Sequence, residues 1–147
     1  MDIPLLMNSS GLPDPAVFAA NVANPGIFKN FYHNWAFTDM GDPAIREKYR
    51  SMYHSYYPDR KPGPFMITGL PSAYAVITAL KAAGRDLTRD SFLAAMEKLN
   101  VQPDFLPAPM AFDSVRRDAL RTIQVLKFDG EKETVMPELY VWDGKTP

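Results

Sequence analysis

The chain has 147 residues, 46% of them hydrophobic and 22% charged, which suits one folded domain with a sizeable core rather than a disordered segment. Sixteen basic residues stand against 17 acidic ones for a net charge of -1, with no run of like charge, and this argues against a nucleic-acid partner. The absence of cysteine removes disulfides, thiolate metal sites and cysteine nucleophiles, and no apolar run approaches the ~20 residues of a membrane helix.

Residues 3–7, "IPLLM", read as a short buried strand that ends in a polar turn at Asn8, Ser9, Ser10 and Gly11. The opening "MDIPLLMNSS" has no basic region and only a short apolar core, so it does not read as a secretory signal. "DPAVFAANVAN" then predicts a helix with Asp14 as its cap and Pro15 in its first turn, stopped by Pro25 and Gly26. "GIFKNFYHNW" follows with the aromatic content of a strand. Strand, helix and strand in this spacing predict a βαβ unit with a parallel pair.

A second helix is expected over roughly residues 43–57, capped by Asp42 and opened by Pro43. Ile45, Tyr49, Met52, Tyr53 and Tyr56 fall on one stripe of it. "YPDRKPGPFMITG" breaks the periodicity and reads as a stiff crossing loop. Residues 74–99 predict a helical hairpin. Its first helix carries Ala73, Val76, Ile77 and Leu80 along one apolar face, expected to be core, and Gly84 is placed as its left-handed stop. Thr88 caps the second helix, which carries Phe92, Leu93, Met96 and Leu99 as its buried stripe. Beyond Asn100, "FLPAPMAFD" and "RTIQVLKFDG" read as strands, Asp129-Gly130 as a hairpin turn, and "ETVMPELYVWDG" as the return strand, with Pro137 forcing an edge or a break.

No catalytic constellation forms along this path. His33 and His54 are the only histidines, and neither a metal-binding spacing, a nucleophile elbow nor a phosphate-cradling glycine loop accompanies them. A metal held by His33, Asp39 and His54 is a remote reading. The expectation is a chain without catalytic residues, metal or cofactor.

The order of segments is more informative than any one of them. A helical hairpin with "AG-x-D-LTR" (Ala83 to Arg89), then Phe112-Asp113, then the hairpin strand ending in "KFDG", resembles the C-terminal part of type I periplasmic solute-binding proteins, the branched-chain amino acid-binding branch of ABC-transporter receptors. "IPLLMNSSGL" and "NPGIFKNFYHNW" are similar to that family's last βα unit and the strand leading to its hinge, so the resemblance spans nearly the whole chain. It departs at "PAPMAFDSVRRD", where the family has glycines on either side of the phenylalanine-aspartate strand.

The resemblance implies an α/β fold that is part of the type I periplasmic-binding-protein architecture: a parallel βαβ unit, a helical hairpin and a C-terminal β-hairpin. Residues 1–36 would belong to the second lobe, 37–104 to a hinge passage and helices, and 105–147 to the last strands. It implies a periplasmic substrate-binding component of an ABC uptake transporter, here as a C-terminal fragment, for an amino acid or another small aliphatic or aromatic carboxylate, with a membrane permease as partner. It also implies that the hairpin's apolar stripe lacks its usual sheet partner, and hence self-association as a homo-oligomer. Ligands of open α/β sheets bind beyond the carboxyl ends of the strands, where helix N-termini offer free N–H groups. Asn8, Ser9 and Ser10 hold that position here, and Phe65, Tyr32, Trp35 and Tyr74 are the aromatic candidates, with His33 beside them. As plain structure, the first three form a polar turn and the aromatics form packing. The alternative readings are an oligomerisation domain, or a ligand-sensing domain of a regulator, sharing this ancestry.

Overall fold

A computed structural model of the protein describes residues 4–7 and 29–143. The helix expected from Asp14 and the turn at Asn8 to Gly11 lie outside the described residues.

Four strands form one sheet in the order β1-β2-β5-β6: β1 (Leu5–Met7), β2 (Phe31–Trp35), β5 (Thr122–Phe128) and β6 (Glu133–Val141). β1 and β2 run parallel, as the βαβ reading requires, with Leu6 opposite Tyr32. β2 pairs antiparallel with β5, setting Phe31 opposite Phe128, His33 opposite Leu126 and Trp35 opposite Gln124. Alternation then decides which side is core. Phe31, His33, Trp35, Leu126 and Phe128 are buried on one face, while Tyr32 and Asn34 alternate to the other.

β5 turns into β6 through Asp129-Gly130, where the Asp129 carboxylate accepts from the backbone N–H of Glu131 (2.9 Å) and Lys132 (3.0 Å). β6 passes through Pro137 without ending. The ladder shifts register there, from Val135 opposite Leu126 to Leu139 opposite Gln124, so that the proline sits in a bulge of an edge strand.

The helical part begins with α1 (Pro43–Tyr56), whose cap Asp42 accepts from Ala44 N (2.9 Å) and Ile45 N (3.3 Å). Of its expected stripe only Tyr49 is buried; Ile45 and Tyr53 are half-buried, and Met52 and Tyr56 face solvent. A 3-10 turn (Pro64–Ile67) leads into α2 (Leu70–Ala83). Gly84 ends α2 at φ 77°, a backbone angle that side-chain-bearing residues rarely take, and its N–H closes on Leu80 O at 3.2 Å. α3 (Arg89–Glu97) opens on a reciprocal capping pair: Ser91 N donates to Thr88 Oγ1 (3.0 Å) and Thr88 N to Ser91 Oγ (2.9 Å).

The hairpin corrects one expectation. α2 turns Pro71, Ala75 and Ala79 to the core, whereas Ala73, Val76, Ile77 and Leu80 face solvent. In α3 no residue is fully buried: Phe92 and Met96 are half-covered, Leu93 is exposed, and Leu99, just past the helix, is the buried member of that stripe. The strand expected over 105–113 is also shorter. β3 (Asn100–Val101) and β4 (Met110–Ala111) form a two-residue ladder, because Pro103, Pro107 and Pro109 have no N–H to donate to a longer one.

One core joins sheet and helices. Trp35 and Leu126 from the sheet pack in the same cluster as Phe37, Tyr49, Ile67, Ala75, Phe105 and Met110. Leu126 is fully buried and opposite His33, so Leu126→Ala should cost about 2–5 kcal/mol. Val115→Ala, at an exposed position, should stay within about 0.5 kcal/mol. Urea unfolding of the two variants checks the contrast.

Candidate functional site

Two passages connect the sheet to the helical part, residues 36–42 after β2 and 112–121 before β5. Both are held by their own side chains. In the first, the Trp35 indole N–H donates to Asp39 Oδ1 at 2.8 Å, and both residues are buried, at 7% and 6% exposure. Arg46 of α1 donates through Nε to Asp39 O (3.1 Å) and through Nη2 to Met40 O (3.3 Å). Gly41 completes the bend against β6: a Cβ there would stand 3.2 Å from Val135 Cγ2.

Loop 103–106 clamps this passage from the other side. Thr38 N donates to Phe105 O (3.1 Å) and Thr38 Oγ1 to Asp104 O (2.7 Å). The Asp104 carboxylate accepts from Tyr49 Oη (2.6 Å) and pairs with Lys48 on α1. Phe105 stands edge-on to both Tyr49 (5.7 Å, 83°) and Tyr74 (6.0 Å, 80°). The hydrogen bonds from Lys48 and then Tyr49 hold the Asp104 carboxyl below the usual carboxylate range. Burial, followed by the bond to Asp104, pushes the Tyr49 phenol up, so it remains a donor.

The second passage is held by its aspartates and arginines. Asp113 Oδ1 accepts from Val115 N (2.8 Å) and Arg116 N (2.5 Å), and these donors, Arg116 first, hold its carboxyl low. Arg116 donates to Asp118 O (2.8 Å) and Ala119 O (2.9 Å). Arg121 grips the Asp118 carboxylate at 2.6 and 3.0 Å and stacks over Trp142 at 5.0 Å.

The candidate ligand residues are distributed unevenly about these passages. Asn8, Ser9 and Ser10 lie outside the described residues, as does the side chain of Phe65 in the 3-10 turn. Tyr74 is exposed beside Phe105, off the buried line of α2. Trp35 is core, edge-on to Phe37 at 5.3 Å. Tyr32, three residues away, projects to the opposite face of the sheet under the Lys127 ammonium (5.6 Å). Tyr32 and Trp35 therefore do not share a surface. His33 is buried against Phe31, and its Nε2 meets Glu133 Oε1 at 2.6 Å across the sheet. His33, Asp39 and His54 have separate surroundings, and among the described residues no group of three metal-ligating side chains comes together. A groove of about 410 Å³ between α2 and α3 is lined by five alanines with Leu99 and Val101, carries Thr78, Ser91, Lys98 and Asn100 as its polar groups, and contains none of the expected ligand residues.

The Asp104 junction was not singled out in the sequence. "PDF" following a two-residue strand was its only local sign, and its partners Lys48 and Tyr49 lie more than fifty residues away.

The model of the periplasmic binding protein family matches residues 9–133. The chain belongs to that family. No curated protein sequence matches it. Among solved structures it is similar to the fatty acid ABC transporter substrate-binding protein of Thermomonospora curvata, with a TM-score of 0.70 and 24% identity over 97% of this chain and 38% of that one. It is also similar to a branched chain amino acid ABC transporter from Thermus thermophilus with bound valine (TM-score 0.62, 15% identity, 80% of this chain and 35% of that one). A third is a solute binding protein of an ABC transporter from Rhodopseudomonas palustris BisB5 in complex with 3,4-dihydroxy benzoic acid (0.54, 23%, 77% and 31%). The fold is the type I periplasmic-binding fold, and the chain spans less than two-fifths of the length of these relatives.

A stability test follows from the Asp104 clamp. Because its folded carboxyl lies below the ordinary value of ~3.9, the clamp's contribution is complete above that value and is lost as pH falls through the lower folded one. Denaturant unfolding between pH 6 and pH 3 should therefore show a smaller acid loss in Asp104→Asn than in the parent chain.

Proposed function

We propose that this chain supplies part of the solute-binding cleft of an ABC uptake system that takes up small carboxylates with an apolar body, amino acids among them. The observation that carries the reading is the family match over residues 9–133. Fatty acid, valine and 3,4-dihydroxy benzoic acid, named for the three solved relatives, share a carboxylate on an apolar frame. In this reading residues 1–36 and the last strands from 105 onward form one lobe, and residues 37–104 cross to the other. The system works in the periplasm with a membrane permease that accepts the closed form, and the chain binds its solute without transforming it.

Asn8, Ser9 and Ser10, in the polar turn that the sequence predicts, receive the carboxylate, since backbone N–H groups at a helix N-terminus favour an anion. Phe65 and Tyr74 meet the apolar body. Trp35, held in the core by Asp39, backs the first passage rather than touching the solute, and Tyr32 contributes from the outer face of the sheet. Closure bends the two passages together, the hinge motion common to two-lobed receptors.

Titration of the 147-residue chain with valine, 3,4-dihydroxybenzoate and octanoate, followed by backbone amide NMR, tests the proposal. One side of a cleft gives few contacts, so dissociation constants of roughly millimolar order are expected, with shifts confined to residues 8–10, 32–38, 65 and 74. Silence with all three acids at about 20 mM, or shifts confined to the α2–α3 groove, would refute it.

A further inference from the structure

The geometry points to one joint in each passage, at Ala36–Phe37 in the first and at Leu120 in the second, each spanned by a carboxylate latch that holds the sheet and the helical part at a fixed angle. The use of such a latch rests on the hinged reading proposed above. Its place rests on bonds within this chain.

A passage bends where its backbone is tied to neither side. Trp35 ends β2 and pairs with Gln124 of β5, so it belongs to the sheet. From Thr38 onward the chain belongs to the helical part. Thr38 N and Oγ1 donate to Phe105 O (3.1 Å) and Asp104 O (2.7 Å), and Arg46 of α1 donates to Asp39 O and Met40 O. Ala36 and Phe37 stand between. The second passage repeats the arrangement. Phe112 N donates to Leu99 O (3.1 Å), Arg117 to Glu97 of α3 (2.9 Å), and Ala111 N of β4 to Ala119 O (3.3 Å), which ties residues 112–119 to the helical part. Trp142 N, just past β6, donates to Arg121 O (2.8 Å) and ties that residue to the sheet. Leu120 stands between. Phe37 and Leu120 pack into the shared core, and apolar packing is non-directional, so it resists separation more than rotation.

A side-chain bond crosses each joint. Over the first, the Trp35 indole N–H donates to Asp39 Oδ1 at 2.8 Å. Over the second, Arg121 donates to both oxygens of Asp118, at 2.6 and 3.0 Å. In each the carboxylate stands on the helical side, and the donor is a planar group held on the sheet side by packing: Trp35 edge-on to Phe37, Arg121 over the Trp142 ring. Hydrogen bonds weaken steeply with misalignment, so rotation at a joint is opposed by the bond that spans it. The two latches differ in strength. Trp35 and Asp39 are buried, and water does not replace their bond when it breaks. The Asp118 side chain is 40% exposed, so water and salt compete for it.

The chain has no cysteine, so spin labels at Arg50→Cys on α1 and Thr134→Cys on β6, both exposed, report the distance from helical part to sheet by double electron–electron resonance. The labelled parent should give one narrow distance peak without solute. Trp35→Phe keeps a ring and removes the donor, and should raise the population outside that peak roughly tenfold or more, as loss of a hydrogen bond to a buried carboxylate predicts. Asp118→Ala should raise it by a smaller factor, and carries the test if Trp35→Phe fails to fold. Asp39→Asn keeps an oxygen for the indole and should leave the peak narrow. Thr88→Ala weakens the cap of α3 without touching a joint and should leave it narrow as well. A peak as narrow in Trp35→Phe and Asp118→Ala as in the parent overturns the inference. So does a parent distribution that is already broad, or broadening by Thr88→Ala that matches theirs. The labels report without solute, so the result stands whether or not the three acids bind.

Discussion

The structure depends on the junction made by loop 103–106. Its backbone bonds to Thr38 in the first passage, its carboxylate at Asp104 holds Lys48 and Tyr49 on α1, and its aromatic ring at Phe105 sits between Tyr49 and Tyr74. Passage, first helix and hairpin are thereby tied to one point. The polar bonds are directional and the aromatic contacts are edge-on, so the junction fixes relative orientation as well as proximity. Trp35 and Leu126 extend the same core into the sheet, which makes the helical part an extension of the sheet's own packing.

This bears on where motion is possible. The first passage is braced by Trp35 to Asp39 and by Arg46, and the second by Asp113, Arg116 and the Asp118–Arg121 pair. These braces are local in sequence, but each passage is also tied to a distant element, the first through Thr38 to loop 103–106 and the second through Arg117 to Glu97 of α3. The local ties stiffen each passage, and the distant ones fix where it sits against the helical part. After Asp113 the turn is fixed by carboxylate and guanidinium bonds to backbone, from Asp113 to the N–H of Val115 and Arg116 and from Arg116 to the carbonyls of Asp118 and Ala119.

Features written in a few neighbouring residues were legible in the sequence. Asp42-Pro43, Thr88, Gly84 and Asp129-Gly130 set the ends of elements through their own side chains or dihedrals, and each stands where it was expected. The parallel pairing of β1 and β2 followed from spacing alone. The core side of α2 did not, because periodicity cannot choose between two apolar faces; the small residues Ala75 and Ala79 won the inside by allowing close approach of the backbone. The His33–Glu133 contact joins residues one hundred apart and had no sequence signal. The candidate site was legible in part. The two-residue period of a strand already separates Tyr32 from Trp35, so these two aromatic candidates fall on opposite faces of the sheet.

Of the apolar surfaces left uncovered among the described residues, those on β6 and α2 differ in kind. β6 exposes Leu139, Tyr140, Val141 and Trp142 along a sheet edge, but Pro137 and the register shift break the ladder in its middle, and Arg121 lies over the Trp142 ring. A proline and a bulge are the usual means by which an edge strand is kept from recruiting another strand. The outer side of α2 carries no comparable device: Lys81 is its only charge, and no proline interrupts the helix after its first turn. An edge that is blunted and a helix face that is left plain thus stand on the same molecule, in a chain that spans less than two-fifths of its relatives' length. The plain face is where the uncovered hydrophobic surface has no structural opposition to being buried.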